Sequence, residues 1–190
     1  MERTPEEARR DYRLALELPF TKLIGRAGSG VQASRAGDAS TGWRIPGDQA
    51  EALRNWGVPV FAPDKPDSVL LAGAVQAASG PEIESHDLVG YRLGRFWEHT
   101  VAAVEPDGRV VGFPDELGDV VPFNSSVRAF VEIAWRWYFA QSALLVLYAA
   151  DDEQLGPMLQ DAIDKAHAID PCGAAQDPDD WWWEGVIGTW

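Results

Sequence analysis

The chain has 190 residues, a single cysteine and a net charge of −14, from 30 acidic and 16 basic residues. One cysteine excludes an internal disulfide and a cysteine-based metal cluster, and this negative charge argues against direct nucleic-acid binding, because phosphates repel it. With 46% hydrophobic residues, the length suits a single domain, residues 1–190, with a sizeable core.

The sequence predicts a cytoplasmic protein without a membrane span. Residues 1–7 carry charges where a secretion signal needs an apolar stretch. The most apolar stretch, residues 127–150, is interrupted by Arg128, Glu132 and Arg136. No run of about 18 apolar residues occurs, which is the length that a membrane helix requires.

Residues 1–57 are predicted to form helices joined by a loop. Residues 5–18 place apolar side chains at helical spacing, and Pro19 ends that helix. Residues 25–42 are rich in Gly, Ser and Ala, which predicts a mobile loop. A second helix is expected over residues 46–56, where a glycine follows it.

Residues 58–123 are predicted to form an antiparallel sheet. Five short extended runs are bounded by Pro, Gly or Asp, and they cover residues 58–61, 69–72, 88–93, 96–104 and 109–113. Residues 105–108, Glu-Pro-Asp-Gly, place proline and glycine at the second and fourth positions of a tight turn. Because no helical pattern separates the runs, neighbouring strands are expected to be antiparallel.

Residues 124–169 are predicted to form two helices. The side-chain oxygens of residues 124–126, Asn-Ser-Ser, can cap a helix that begins at Val127. This helix is apolar almost all round, so we expect it to be buried against the sheet. A further helix is expected to be capped by Asp151 or Asp152, to carry apolar residues on one face as far as Ile169, and to be ended by residues 171–173.

Residues 177–184 form an acidic tail that contains three consecutive tryptophans. Three neighbouring residues cannot all face one core from either a helix or a strand. One explanation is contact with a partner or a second copy of the chain, because tryptophan is enriched at interaction hot spots. The alternative is that the tryptophans pack the tail onto the core.

The sequence offers no recognisable catalytic motif. Residues 25–30 resemble a phosphate-binding loop only in their glycines, since the Lys-Ser/Thr pair and the strand-to-helix context are missing. His86, His99 and His167 are not spaced to share a metal ion on one helix. We therefore expect a protein that is not an enzyme and that binds neither a metal nor a cofactor.

Residues 93–137 resemble a known family. A predicted strand pair ends in Asn-Ser-Ser at residues 124–126, and Phe130 follows near the start of a long apolar helix. This arrangement resembles the SUKH family of immunity proteins, especially its fourth group. Residues 56–60, Trp-Gly-Val-Pro-Val, also resemble the Gly-hydrophobic-Pro element of that family.

The resemblance implies an α+β fold, with a twisted and mostly antiparallel sheet flanked by helices. The C-terminal helix and the tryptophan-rich tail are additions to it. The structural marker residues carried over from the family are Asn124, Ser125, Ser126 and Phe130.

The resemblance also implies a function, which is to bind and inhibit a cognate bacterial toxin by occlusion. Toxins that attack nucleic acids need basic surfaces, and an acidic protein can compete for such a surface. Candidate contacts combine acidic and aromatic side chains at Asp115, Glu116, Asp119, Asp179, Asp180, Trp181 and Trp183. The alternative function is a regulatory or scaffold module with the same fold, and a homo-oligomer is compatible with either.

Overall fold

The chain forms helices packed on an antiparallel sheet, an α+β arrangement. The computed structural model describes residues 3–27, 32–60, 75–96, 99–115, 118–150, 153–171, 183, 186 and 187. The α-helices in this part of the chain are α1 (Pro5–Glu17), α2 (Phe20–Ile24), α3 (Gly47–Asn55), α4 (Val127–Ala149) and α5 (Leu155–Ile169). The strands are β1 (Ala33–Ser34), β2 (Val58–Pro59), β3 (Ile83–Ser85), β4 (Leu88–Phe96), β5 (His99–Val104), β6 (Val110–Pro114) and β7 (Val121–Asn124).

The main sheet contains strands β3 to β7 in sequence order, and each is antiparallel to the next. Successive side chains of a strand point to opposite faces. In β5, Val101 and Ala103 therefore join the large core, whereas Ala102 and Val104 join a smaller cluster on the other face. The sheet is buried on both sides at its centre, which explains why residues 101–104 of β5 are all apolar.

The turn between β5 and β6 is the predicted one, and it is tied to two helices. The N–H of Gly108 donates to the carbonyl oxygen of Val104 at 2.9 Å. Gly108 has a φ of +74°, and a Cβ there would clash with the side chain of Gln49 on α3. Nε2 of Gln49 donates to the carbonyl of Asp107 at 3.0 Å, and its Oε1 accepts from the N–H of Val127 at 2.9 Å. One glutamine thus links the hairpin to the starts of α3 and α4.

Helix α1 confirms the helix predicted at the start of the chain. The side chain of Thr4 accepts from the N–H of Glu7, and the Glu7 carboxylate accepts from the N–H of Thr4 at 2.9 Å. This reciprocal capping box satisfies backbone donors that the first turn leaves free. Ala8, Tyr12 and Ala15 follow at helical spacing and are buried in the large core.

Residues 25–42 were predicted to form a mobile loop. For residues 33–42 this prediction is wrong. They form β1 and a 3-10 helix, Gly37–Gly42. The Ser34 hydroxyl accepts from the N–H of Val75 at 2.8 Å, and Ala36 and Ser40 are buried. Small side chains let this segment lie close against its neighbours, although they give no hydrophobic pattern in the sequence.

Several predicted strands differ from the observed ones. Strand β2 pairs with β1 in a separate two-stranded sheet instead of joining the main sheet. Strand β3 and the short helix α2 were not predicted, because segments of three and five residues are too short to show a period. The predicted strand 96–104 divides between the end of β4 and β5, and the predicted strand 69–72 lies outside the described residues.

Helices α4 and α5 confirm the two helices predicted after the sheet. The predicted cap of the second helix at Asp151 or Asp152 is wrong, because α5 begins at Leu155 and its N-cap is Gln154. Helix α4 has 23 residues and supplies the largest share of the core, with α1, α3 and α5 packed beside it. The C-terminal helix α5 buries Met158, Ala162 and Ala166 at helical spacing. Among the described helices, none combines the length and the apolar character needed to cross a membrane.

Candidate functional site

Four residues, the Asn124 network (Asn124, Ser125, Asp170 and Trp183), join the last strand to the C-terminal part of the chain. Nδ2 of Asn124 donates to Oδ2 of Asp170 at 2.7 Å, and the N–H of Ser125 donates to the same oxygen at 2.8 Å. The indole N–H of Trp183 donates to Oδ1 of Asn124 at 3.0 Å. Asp170 is buried. A buried carboxyl group is costly unless it is hydrogen-bonded, and here Asn124 and Ser125 supply the hydrogen bonds.

The other two marker residues begin and fill α4. The Ser126 hydroxyl accepts from the N–H of Ala129 at 3.2 Å, so Ser126 is the predicted N-cap. Phe130 is fully buried, and its ring centroid lies 6.2 Å from that of Trp183. The marker residues therefore hold the sheet, α4 and the C-terminal part together, which is a structural role.

The tryptophan-rich tail is described at Trp183, which is 0% exposed. Its neighbours Val186 and Ile187 are also buried in the large core. At this residue the structure shows the packing arrangement, since the Trp183 side chain is buried within the chain itself. The other tail candidates, Asp179, Asp180 and Trp181, lie outside the described residues.

The acidic candidates between β6 and β7 are partly neutralised. Asp115 forms an ion pair with Arg95 of β4, and its side chain is 28% exposed. Asp119 is exposed, and Glu116 lies outside the described residues. The structure therefore places Asp115 and Asp119 on the surface after β6, with a basic side chain already beside Asp115.

Arg136 is a buried charge with a structural task that the sequence did not reveal. Its guanidinium donates to the carbonyls of Ala15, Leu16 and Leu18 at 2.8, 3.1 and 3.1 Å, and to Oε1 of Glu132 at 2.7 Å. These carbonyls end α1, where unpaired acceptors and the negative end of the helix dipole favour a cation. Arg136 thus fastens α1 to α4.

Tyr91 and Trp43 form a second structural group between the sheet and the 3-10 helix. Their rings stack with centroids 4.5 Å apart, and the Tyr91 hydroxyl donates to the Glu105 carboxylate while accepting from the N–H of Arg44 at 2.9 Å. Burial, together with the hydrogen bond to Glu105, raises the pKa of Tyr91. The phenol therefore stays protonated at neutral pH and serves as a hydrogen-bond donor.

A narrow cleft lies between α1, α4 and α5. Its free volume is about 10 Å³, which is close to the minimum for a single water molecule. The lining is mainly apolar and consists of Leu16, Ile133, Arg136, Trp137, Ala140, Ala162, Lys165, Ala166, Ile169 and Ile187. Across the described ranges, His, Cys, Asp and Glu side chains form no group of three or more able to hold a metal ion.

The C-terminal half of α4 carries a surface that the sequence did not predict. We call it the α4 apolar face, and it consists of residues of this half that are not buried: the half-buried Tyr138, Phe139, Ser142 and Val146 and the exposed Leu145 and Tyr148. Leu145 is 38% exposed and Tyr148 is 69% exposed, and among the described residues they are the large hydrophobic side chains that are exposed. The prediction that α4 is buried almost all round is wrong for these two positions.

Position around the helix accounts for this exposure. Leu144 and Leu147 lie at the same level of α4 as Leu145 and Tyr148, and both are fully buried. The described neighbours of α4 therefore cover one side of its C-terminal half and leave Leu145 and Tyr148 in contact with solvent. The signal available in the sequence was the stretch of residues 137–150, which contains no charged side chain.

Residues 25–188 match the protein family described as SUKH-4 immunity protein. The match begins after α2 and includes both sheets, α3, α4, α5 and the Asn124 network. No curated protein and no solved structure matches the chain.

Proposed function

The chain belongs to the SUKH-4 immunity protein family, and from this we propose that it binds and occludes a cognate bacterial toxin in the cytoplasm. The observation that carries the proposal is the match over residues 25–188, which takes in the whole main sheet and helices α3, α4 and α5. Occlusion requires a stable surface and no catalytic groups of its own.

Charge supports a basic partner. The chain has a net charge of −14, and a toxin that acts on nucleic acids holds its substrate with a basic surface. Complementary potentials of this kind accelerate association and make it sensitive to salt. We therefore propose a nucleic-acid-targeting toxin domain as the partner.

The acidic residues proposed to steer the toxin lie after β6 and in the tail. In the first group, Asp115 and Asp119 both lie on the surface, and Asp115 pairs with Arg95. Asp119 is therefore the stronger candidate of the two. In the tail, Asp179 and Asp180 add two neighbouring charges next to Trp181. These side chains contribute chiefly to the association rate, since charges at the rim of an interface act before close contact forms.

The test is co-expression with the toxin domain encoded beside this gene. Cells that produce the toxin domain should grow when the chain is present and fail to grow when it is absent. Calorimetry should show a complex of one copy each with nanomolar affinity. Micromolar binding to several unrelated proteins would instead support a regulatory or scaffold module.

A pair of charge reversals tests the steering residues. Asp179→Lys combined with Asp180→Lys should slow association and weaken its dependence on salt. The matched control is Asp48→Lys with Glu51→Lys, which makes the same charge change at exposed positions of α3. Equal effects of the two pairs would show that net charge matters and that the tail has no special role.

A further inference from the structure

Resting on the proposed function, we infer that the α4 apolar face is the surface that holds the toxin once the two proteins have met. The complementary surface of the toxin is an apolar patch bordered by basic side chains. The acidic residues discussed above would bring the toxin to the chain, whereas this face would slow its release.

The first argument is the exposure of large side chains near the end of a well-packed helix. Tyr148 and Leu145 reach into solvent. About two to three turns earlier on α4, Tyr138 and Phe139 pack edge-to-face with centroids 5.6 Å apart, and Trp135 stacks on Phe139 at 5.9 Å. Tyrosine is enriched at binding hot spots, because its rigid ring offers a large contact area at a low cost in conformational entropy.

The second argument is the pattern along the helix. Tyr138, Ser142 and Leu145 follow one another at steps of four and three residues, so they lie on one side of α4. Residues 137–150 contain no charged side chain. A partner can therefore cover this side without leaving a charge of α4 buried and unpaired.

The third argument concerns charge at the end of the face. The last turn of α4 contains no basic residue, so its carbonyls leave about half a negative charge there. Three acidic residues, 151–153, follow in the sequence. Residues 3–17, which include α1, carry four acidic and four basic side chains, so their net charge is zero. The local charge is negative, which is complementary to basic side chains on a partner.

The same charge disfavours a second copy of the chain as the occupant. Two copies would bring the same negative helix end and a charge of −14 each to one interface. Like charges placed opposite each other in an interface oppose association. A basic protein gains from both the apolar and the electrostatic features of the surface, whereas a second copy gains from the apolar one alone.

The experiment measures association and dissociation separately. The probe is the toxin domain encoded beside this gene, purified in a catalytically inactivated form, and the full-length chain is compared with its Leu145→Ala/Tyr148→Ala variant. Dissociation should become at least about tenfold faster, while the association rate should change by less than about twofold. The matched control is Ile83→Ala/Leu88→Ala, which removes two partly buried apolar side chains from the β3–β4 hairpin and should leave dissociation unchanged.

The possible outcomes distinguish failure of the proposed function from failure of this inference. If the unchanged chain does not bind the toxin domain, the proposed function fails and this inference fails with it. If the chain and its Leu145→Ala/Tyr148→Ala variant release the toxin equally slowly, the inference alone is wrong. Sedimentation of the chain alone should show a monomer, and a dimer that the same variant disrupts would assign the face to a second copy.

Discussion

The two halves of α4 have different surroundings, although they belong to one continuous helix. Over residues 127–136 the helix begins at the Ser126 cap and buries Phe130 completely. Over residues 137–149 it still buries one side, but Leu145 and Tyr148 on other sides are exposed. The first half is largely surrounded by other parts of the protein, as in a core helix. The second half is packed on one side and exposed on the other, as in a surface helix.

The distribution of charged residues along α4 would predict the opposite pattern of burial. The more buried half contains Arg128, Glu132 and Arg136, and the half with exposed side chains contains no charge at all. A buried charge is tolerated where partners surround it, as the α1 carbonyls surround Arg136. Exposed large apolar side chains in a charge-free stretch are instead a feature of contact surfaces. Composition alone therefore misplaces both halves.

The largest effect should come from the buried half. Phe130→Ala removes a fully buried ring that neighbours Trp183, and such truncations lower the free energy of unfolding by about 3–5 kcal/mol. Urea denaturation measures this loss. The matched change in the other half, Leu145→Ala, should cost less than about 1 kcal/mol, because the side chain is already partly in water. Equal losses would erase the distinction between the two halves.

A smaller effect is expected at the junction of the halves. Arg136→Met leaves three carbonyls at the end of α1 without their donor and removes the ion-pair partner of Glu132. We expect the free energy of unfolding to fall by about 2–4 kcal/mol, with faster amide exchange over the last turns of α1. Arg128→Met, an exposed position on the same helix, should change stability by less than about 0.5 kcal/mol. Unaltered exchange in α1 would contradict the capping role of Arg136.

The smallest effect should appear at the C-terminal end of α4, and its sign is opposite. Ala149→Lys places a cation on the last helical residue, which is exposed and precedes three acidic residues. The helix dipole favours a cation there, so the free energy of unfolding should rise by about 0.3–1 kcal/mol. Ala149→Glu should lower it by a similar amount. Thermal denaturation at low salt compares the two, and a stabilising glutamate would show that this end is not negative.

Local signals in the sequence predicted much of the fold. The boundaries of α1 and α4, the presence of α5, the turn at residues 105–108 and the Ser126 cap depend on residues that lie within a few positions of one another. The resemblance at Asn124–Phe130 to the SUKH family is likewise a local pattern, and the family match confirms it. Such features follow from backbone preferences and side-chain spacing, which a sequence displays directly.

Contacts between distant residues decided the rest. Trp183 is a core residue because its indole reaches Asn124, 59 positions away, and Arg136 is a helix cap because it meets Ala15, 121 positions away. The pairing of β1 with β2 and the exposure of Leu145 and Tyr148 have the same origin. The sequence by itself determined which segments are helical and which are apolar. Only the tertiary structure decided which apolar sides are covered, because coverage depends on neighbours brought together by folding.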